Sequence, residues 1–115
     1  KQDFYGEVSG VDAAVGNLRA ELRKLGVADD TIVWFVSDNG GITPDSMDPT
    51  GKGKMSVGNR TVGLMEWPGR FPKPVRTPVP AAHQDVFPTV VAATGASVAR
   101  PHPLDGANLL PVLDG

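Results

Sequence analysis

The sequence has no cysteine, which excludes a disulfide framework and a thiolate metal site and leaves the redox compartment undecided. No apolar run reaches membrane-spanning length, and the first residues lack the basic and apolar regions of a signal peptide. The net charge of −2 gives no indication of a nucleic-acid or acidic-membrane partner. What remains is an ordinary globular composition, and 115 residues suffice for one domain with a modest core.

One stretch organises the chain. Residues 31–36 (Thr-Ile-Val-Trp-Phe-Val) are almost entirely apolar and rich in β-branched and aromatic side chains. Such a run predicts a strand buried on both faces, as in a parallel sheet covered by helices. Asp38 and Asn39 follow it, before a pair of glycines that ends the strand. They are therefore expected at the carboxyl end of the strand, where α/β sheets bind ligands, and their oxygens suit calcium or magnesium.

A simpler interpretation of Asp38 and Asn39 stays open beside this one. Asn-Gly is a common tight turn, and an Asp before it can hydrogen-bond the turn backbone without any metal.

A helix is predicted upstream, over residues 7–25. Apolar residues recur there at alternating steps of three and four, which places them on one face. Gly26 is suited to the left-handed conformation that ends a helix. Gly10 and Gly16 weaken the helix and suggest close approach to a neighbour. Together with the strand, this helix forms half of a βαβ pattern. The apolar positions are Val8, Val11, Val15, Leu18, Leu22 and Leu25.

Downstream, the pattern predicts short elements joined by loops, because most prolines and glycines follow residue 40. Residues 42–60 predict a long surface loop, residues 61–67 a strand and residues 70–82 an extended connection. A second helix is predicted over residues 84–94, with Pro88 in its first turn and Gly95 as its stop. Its expected buried side is Val86, Phe87, Val90 and Val91. Residues 104–113 are expected to pack on the sheet as a turn and helix, and His83 and His102 to lie at the surface.

The long loop contains Gly51-Lys52-Gly53-Lys54. Solvated lysines are the simplest interpretation, but a basic glycine-rich turn can also contact an anion through ammonium groups and backbone amides. It is not a Walker A loop, because the spacing and the Ser or Thr after Lys are absent.

Six blocks of the sequence form an ordered set. They lie at residues 5–26, 31–41 (with Ser-Asp-Asn-Gly), 51–53, 64–69 (Leu-Met-Glu-Trp-Pro-Gly), 85–95 (with Asp-Val-Phe-Pro-Thr) and 104–111 (with Leu-Asp-Gly). In this order the blocks resemble the later part of a sulfatase catalytic domain, over residues 1–115. The resemblance implies an α/β fold of the alkaline phosphatase superfamily, in which helices cover the sheet.

The resemblance implies hydrolysis of a sulfate ester by a calcium-dependent enzyme. Asp38 and Asn39 match two calcium ligands of the family, and Lys52 matches a lysine that contacts the sulfate, with Lys54 as the alternative. The family's aromatic-Glu-Gly-Gly-X-Arg segment is matched only by Gly58 and Arg60. The formylglycine nucleophile and the remaining ligands are expected in a part of the domain that precedes this chain. Residues 56–60 (Ser-Val-Gly-Asn-Arg) are not the motif that is converted to formylglycine. That motif has Pro or Ala in its third position, where this chain has Gly, and in the family it precedes the segment that matches Asp38 and Asn39.

Other interpretations remain: a related phosphate- or phosphonate-ester hydrolase, or a sulfatase-like fragment or subunit without catalysis of its own. We expect the chain alone to be inactive, and to associate with the missing part of the domain or with itself, because an isolated apolar strand exposes its edge. A typical parent sulfatase would be periplasmic, secreted or lysosomal.

Overall fold

The computed structural model describes residues 2–39, 61–99 and 103–114. The chain divides into two compact units, Lys1–Lys73 and Pro74–Gly115. The first unit holds α1 (Gln2–Lys24), a 3₁₀ helix (Ala28–Asp30), β1 (Val33–Val36) and β2 (Gly63–Glu66). The second holds a 3₁₀ helix (His83–Asp85), α2 (Val86–Thr94) and α3 (Leu110–Asp114). Helices and strands are thus mixed, which is compatible with an α/β fold.

Helix α1 ends as its sequence predicts, although it begins earlier than residue 7. Gly26 adopts the left-handed conformation, with φ of 72°. The N–H of Val27 donates to the carbonyl of Leu22 (3.1 Å), and the N–H of Gly26 donates to that of Arg23 (3.0 Å). These two bonds form the Schellman arrangement that satisfies the last carbonyls of a helix.

The apolar face of α1 is only partly covered. Val15 and Leu22 are half-buried, whereas Val8, Leu18 and Leu25 are 51%, 48% and 63% exposed. A helix of 23 residues is about 34 Å long. Strands of four residues span only about 13 Å. Much of the helix therefore extends beyond the two strands described.

The close approach predicted at Gly10 and Gly16 is not found within the described residues. A Cβ built at either position would have no other atom of the described residues within 4 Å. In the part of the chain that the structure describes, nothing near these glycines requires the absence of a side chain.

Replacing Gly16 by Ala is expected to stabilise the first unit by roughly 0.5–1 kcal/mol, because alanine loses less conformational entropy in a helix. Denaturant unfolding followed by circular dichroism measures this. Gly26→Ala is the matched control: with a φ of 72° it should destabilise instead. A loss of stability in Gly16→Ala would contradict the open surroundings of this residue.

The sheet differs from the predicted arrangement. Strand β1 pairs with β2 in antiparallel register, Val33 opposite Glu66 and Val36 opposite Gly63. Phe35 and Val36 are exposed, so the prediction of a parallel strand buried on both faces is wrong for this chain. The reason is that β2 returns antiparallel beside β1 and, within the described residues, is its only neighbouring strand. The predicted strand over residues 61–67 is confirmed, with shorter bounds.

Polar contacts join α1, the 3₁₀ segment and β2. The half-buried carboxylate of Glu66 accepts hydrogen bonds from Arg19 and Arg23, each with a 3.1 Å contact to Oε1. The side-chain hydrogen bond from Arg19 to Glu66 raises the pKa of Arg19 above its ordinary value, and the negative charge of Glu66 adds to this effect. The indole Nε1–H of Trp67 donates to the carbonyl of Asp29 (2.9 Å). These bonds fix the helix over the end of β2.

The second unit is built around two buried polar side chains, Asp85 and Thr89, which are 9% and 0% exposed. The Asp85 carboxylate accepts the N–H of Ala82 (2.7 Å) and of Ala107 (2.8 Å). The Thr89 hydroxyl donates to the carbonyl of Asp85 (2.6 Å) and accepts the N–H of Leu109 (2.9 Å). We call these four bonds the Asp85–Thr89 network. It ties the segment at 107–109 to the start of α2.

Most of the predictions for α2 are confirmed, and one is wrong in part. Pro88 lies in the first turn of α2, Gly95 ends it with φ of 66°, and His83 is exposed. The expected buried side is wrong in part: Val86 and Val91 are half-buried, but Phe87 and Val90 are exposed. The fully buried side chain of the helix is Thr89. Helix α3 packs on α2 within this unit. The predicted loop at 42–60 and His102 lie outside the described residues.

Candidate functional site

The segment that follows β1 is held by the start of the neighbouring strand. The N–H of Ser37 donates to the carbonyl of Val62 (3.1 Å). The hydroxyl of Thr61 donates to the carbonyl of Ser37 (3.0 Å). Ser37 is therefore fixed on both its backbone groups, and the chain leaves the sheet at a defined point. Asp38 and Asn39 come directly after it, which confirms their predicted position beyond the carboxyl end of the strand.

The Asp38 side chain is exposed, and Asn39 is half-buried. One oxygen of Asp38, Oδ1, accepts the N–H of Asn39 (2.8 Å). The hydroxyl of Ser37 donates to the carbonyl of Asn39 (3.1 Å). This geometry is the local turn hydrogen bonding that the simpler interpretation predicts. It also orients the Asp38 carboxylate, whose Oδ2 makes no hydrogen bond to the residues described.

Thr61 is the residue of this segment that sequence reasoning missed. Its contribution depends on the antiparallel pairing of β1 and β2, which brings it beside Ser37 although the two are far apart in the chain. No sequence pattern marks it, because a Thr at the start of a strand is common.

The other predicted site residues lie outside the described residues. They are Lys52 and Lys54, together with Gly58 and Arg60. Among residues 2–39, 61–99 and 103–114, no three His, Cys, Asp or Glu side chains form a cluster that could hold a metal ion. The described part of the site is therefore one carboxylate and one amide at the end of a strand.

No helix within residues 2–39, 61–99 and 103–114 has the length and apolar character needed to cross a membrane.

Comparison with known proteins identifies the protein family to which β1 and the segment after it belong. The family model described as Sulfatase matches residues 2–96, which include α1, both strands, Asp38, Asn39 and α2. The chain belongs to the sulfatase family. The resemblance of its motifs to that family is thereby confirmed.

Individual sulfatases align with nearly the whole chain. Steryl-sulfatase of Rattus norvegicus is 35% identical over 126 residues, covering 96% of this chain and 22% of that protein. Human N-acetylgalactosamine-6-sulfatase is 33% identical over 124 residues, covering 95% and 23%. An uncharacterized sulfatase of Escherichia coli is 32% identical over 117 residues, covering 96% and 21%. The chain thus spans about a fifth of the length of these curated relatives.

Proposed function

We propose that this sulfatase-family chain takes part in the hydrolysis of a sulfate ester, and that it supplies part of a calcium and sulfate site. The observation that carries the proposal is the position of Asp38 and Asn39 directly after β1, in a region matched by the sulfatase model. Family membership and the named relatives favour a sulfate over a phosphate or phosphonate ester.

The donor chemistry at Asp38 and Asn39 fits calcium. Both side chains offer oxygen, which is the ligand that this cation prefers. The Asp38 carboxylate is exposed and makes no ion pair with the described residues. Calcium takes six to eight oxygens, so these two residues would supply only part of its coordination. When bound, calcium neutralises charge on the sulfate oxygens and favours formation of the nucleophile.

The residues of this chain have separate roles in the proposal. The backbone bonds of Ser37 to Val62 and Thr61 fix the turn, so that the Asp38 carboxylate is oriented before any ligand binds. Lys52, or alternatively Lys54, would contact the sulfate and stabilise negative charge that develops in the transition state. The formylglycine nucleophile would come from another part of the domain.

The proposal extends to sulfate esters as a class and not to one substrate. The relatives range from a steryl-sulfatase to an N-acetylgalactosamine-6-sulfatase, so their names include both a sterol and an amino sugar. Nothing in the described residues distinguishes these two kinds of alcohol.

Calcium titration by calorimetry tests the metal assignment. We expect weak binding, with a dissociation constant on the order of 10⁻⁴–10⁻³ M, because few of the required oxygens are present. Asp38→Ala should abolish the binding heat. Asp3→Ala, which removes another exposed acid, should leave it unchanged. Equal heats for Asp38→Ala and the unmodified chain would contradict the proposed ligand.

A further inference from the structure

Two hydroxyl groups connect the chain just before β2 to the segment that carries Asp38. The hydroxyl of Thr61 donates to the Ser37 carbonyl (3.0 Å), and the hydroxyl of Ser37 donates in turn to the Asn39 carbonyl (3.1 Å). The Asn39 N–H then donates to Oδ1 of Asp38 (2.8 Å). We propose that Thr61 and Ser37 are positioning residues of the calcium site, which raise its affinity without contacting the cation. This inference rests on the proposed function, in which Asp38 and Asn39 are calcium ligands.

The two hydroxyl bonds are better shielded from water than the carboxylate they position. Ser37 and Thr61 are both half-buried, whereas the Asp38 side chain is exposed. Water competes less with a shielded hydrogen bond, so such a bond keeps its geometry better. The bond from Asn39 to Asp38 spans a single peptide link at an exposed side chain, so by itself it does not tie the turn to the sheet. The connection to the sheet therefore depends on Ser37.

The Thr61 bond is separate from the backbone pairing of the two strands. That pairing ends with Val36 opposite Gly63. The Ser37 N–H extends it by donating to the Val62 carbonyl. These backbone contacts need no particular side chain, so they persist when a hydroxyl is removed. Loss of the Thr61 hydroxyl is therefore expected to release the Ser37 carbonyl while the strands stay paired.

A turn that is held before calcium arrives binds the cation more tightly. Ordering a backbone segment costs conformational entropy, and a ligand that binds an unordered segment must overcome this cost. Asp38 and Asn39 are adjacent, so one short turn has to present both oxygens. Loss of one ordinary hydrogen bond corresponds to a change of about two- to tenfold in an equilibrium constant. We expect calcium affinity to fall by this factor when either hydroxyl is removed.

Calcium titration followed by NMR of the backbone amides of residues 37–39 tests the proposal, because chemical shifts report weak binding reliably. Thr61→Val keeps the shape of the side chain without its hydroxyl, and should raise the dissociation constant about two- to tenfold. Thr61→Ser retains a hydroxyl and should bind calcium as the unmodified chain does. Ser37→Ala removes the second hydroxyl and should weaken binding to a similar extent as Thr61→Val.

Thr31→Val is the matched control. The hydroxyl of Thr31 also donates to a backbone carbonyl of the same unit, that of Val27 (2.8 Å), but at the other end of β1. Urea unfolding should show a similar loss of stability for Thr31→Val and Thr61→Val, because each loses one hydroxyl bond. Only Thr61→Val should weaken calcium binding. A weakening in both variants would overturn the proposal, because it would then follow from stability alone.

The remaining outcomes separate this inference from the proposed function. Equal calcium affinities of Thr61→Val and the unmodified chain would overturn the positioning role and leave Asp38 and Asn39 as ligands. Equal weakening in Thr61→Val and Thr61→Ser would also overturn it, since the hydroxyl would not be the acting group. If Thr61→Val does not fold, Ser37→Ala decides, and an unchanged affinity overturns the proposal. No calcium-dependent shift in the unmodified chain would overturn the proposed site and this inference together.

Discussion

Replacing Asp85 by Ala is expected to destabilise the second unit by about 3 kcal/mol. The carboxylate accepts two backbone N–H groups, those of Ala82 and Ala107, and hydrogen bonds to a charged group contribute about 1.5–3 kcal/mol each. The substitution leaves both donors without this acceptor. Because Pro74–Gly115 is a small unit, a loss of this size is a large fraction of any stability it has.

The same bonds make this stability depend on pH. The hydrogen bond from Ala107, and then that from Ala82, lowers the pKa of the Asp85 carboxyl below its ordinary value. A group whose pKa is lower in the folded state stabilises that state above its unfolded pKa. We therefore expect the contribution to be complete above about pH 4 and to disappear as the pH falls through the lower, folded pKa.

Urea unfolding of the unmodified chain and of Asp85→Ala, repeated from neutral to acidic pH, measures both effects. The difference between the two proteins should be largest at neutral pH and should shrink in acid. Asp105→Ala removes an exposed acid of the same unit and is the control. It should change the free energy of unfolding by no more than about 0.5 kcal/mol, at neutral and at acidic pH alike. A pH-independent difference would mean that the Asp85 charge does not contribute.

Gly106→Ala is expected to destabilise the same unit by about 1–3 kcal/mol, the range typical of overpacked sites. A Cβ at this position would overlap the backbone carbonyl of Gln84 and the backbone N of Asp85. These are backbone atoms of the 3₁₀ helix that directly precedes α2, so they cannot move aside as a flexible side chain would. The segment would have to withdraw, and the neighbouring N–H of Ala107 would then lose its contact with Asp85.

Gly63→Ala is the matched control, because a Cβ on this strand residue meets nothing within 4 Å among the described residues. Thermal unfolding should show a lower transition temperature for Gly106→Ala and little change for Gly63→Ala. The combination Gly106→Ala with Asp85→Ala should cost less than the sum of the two, because both remove the same bond. Additive effects would mean that the glycine acts independently of Asp85.

The parts of the fold that were predicted correctly depend on local chemistry. Gly26 and Gly95 end their helices because a glycine can adopt positive φ, and Pro88 fits the first turn because its missing N–H costs nothing there. The position of Asp38 after β1 was predictable for the same reason, since it needed only the end of one apolar run.

The parts that were missed depend on neighbours distant in sequence. The composition of β1 suits a strand buried between helices, but its exposure depends on which elements cover it, and β2 lies beside it in the antiparallel direction. Thr61 became part of the Asp38 segment only through this pairing. Asp85 and Thr89 would be expected to face solvent, and they are buried because their partners Ala107 and Leu109 lie about twenty residues further along.

The Asp85–Thr89 network has a consequence for the order in which the second unit forms. Helix α2 has nine residues, which is too few for an isolated helix to persist in water. The segment at 107–109 has no regular structure of its own and gains its order from the helix. We therefore expect neither to accumulate before the other, and this unit to fold in one cooperative step once the intervening loop has closed.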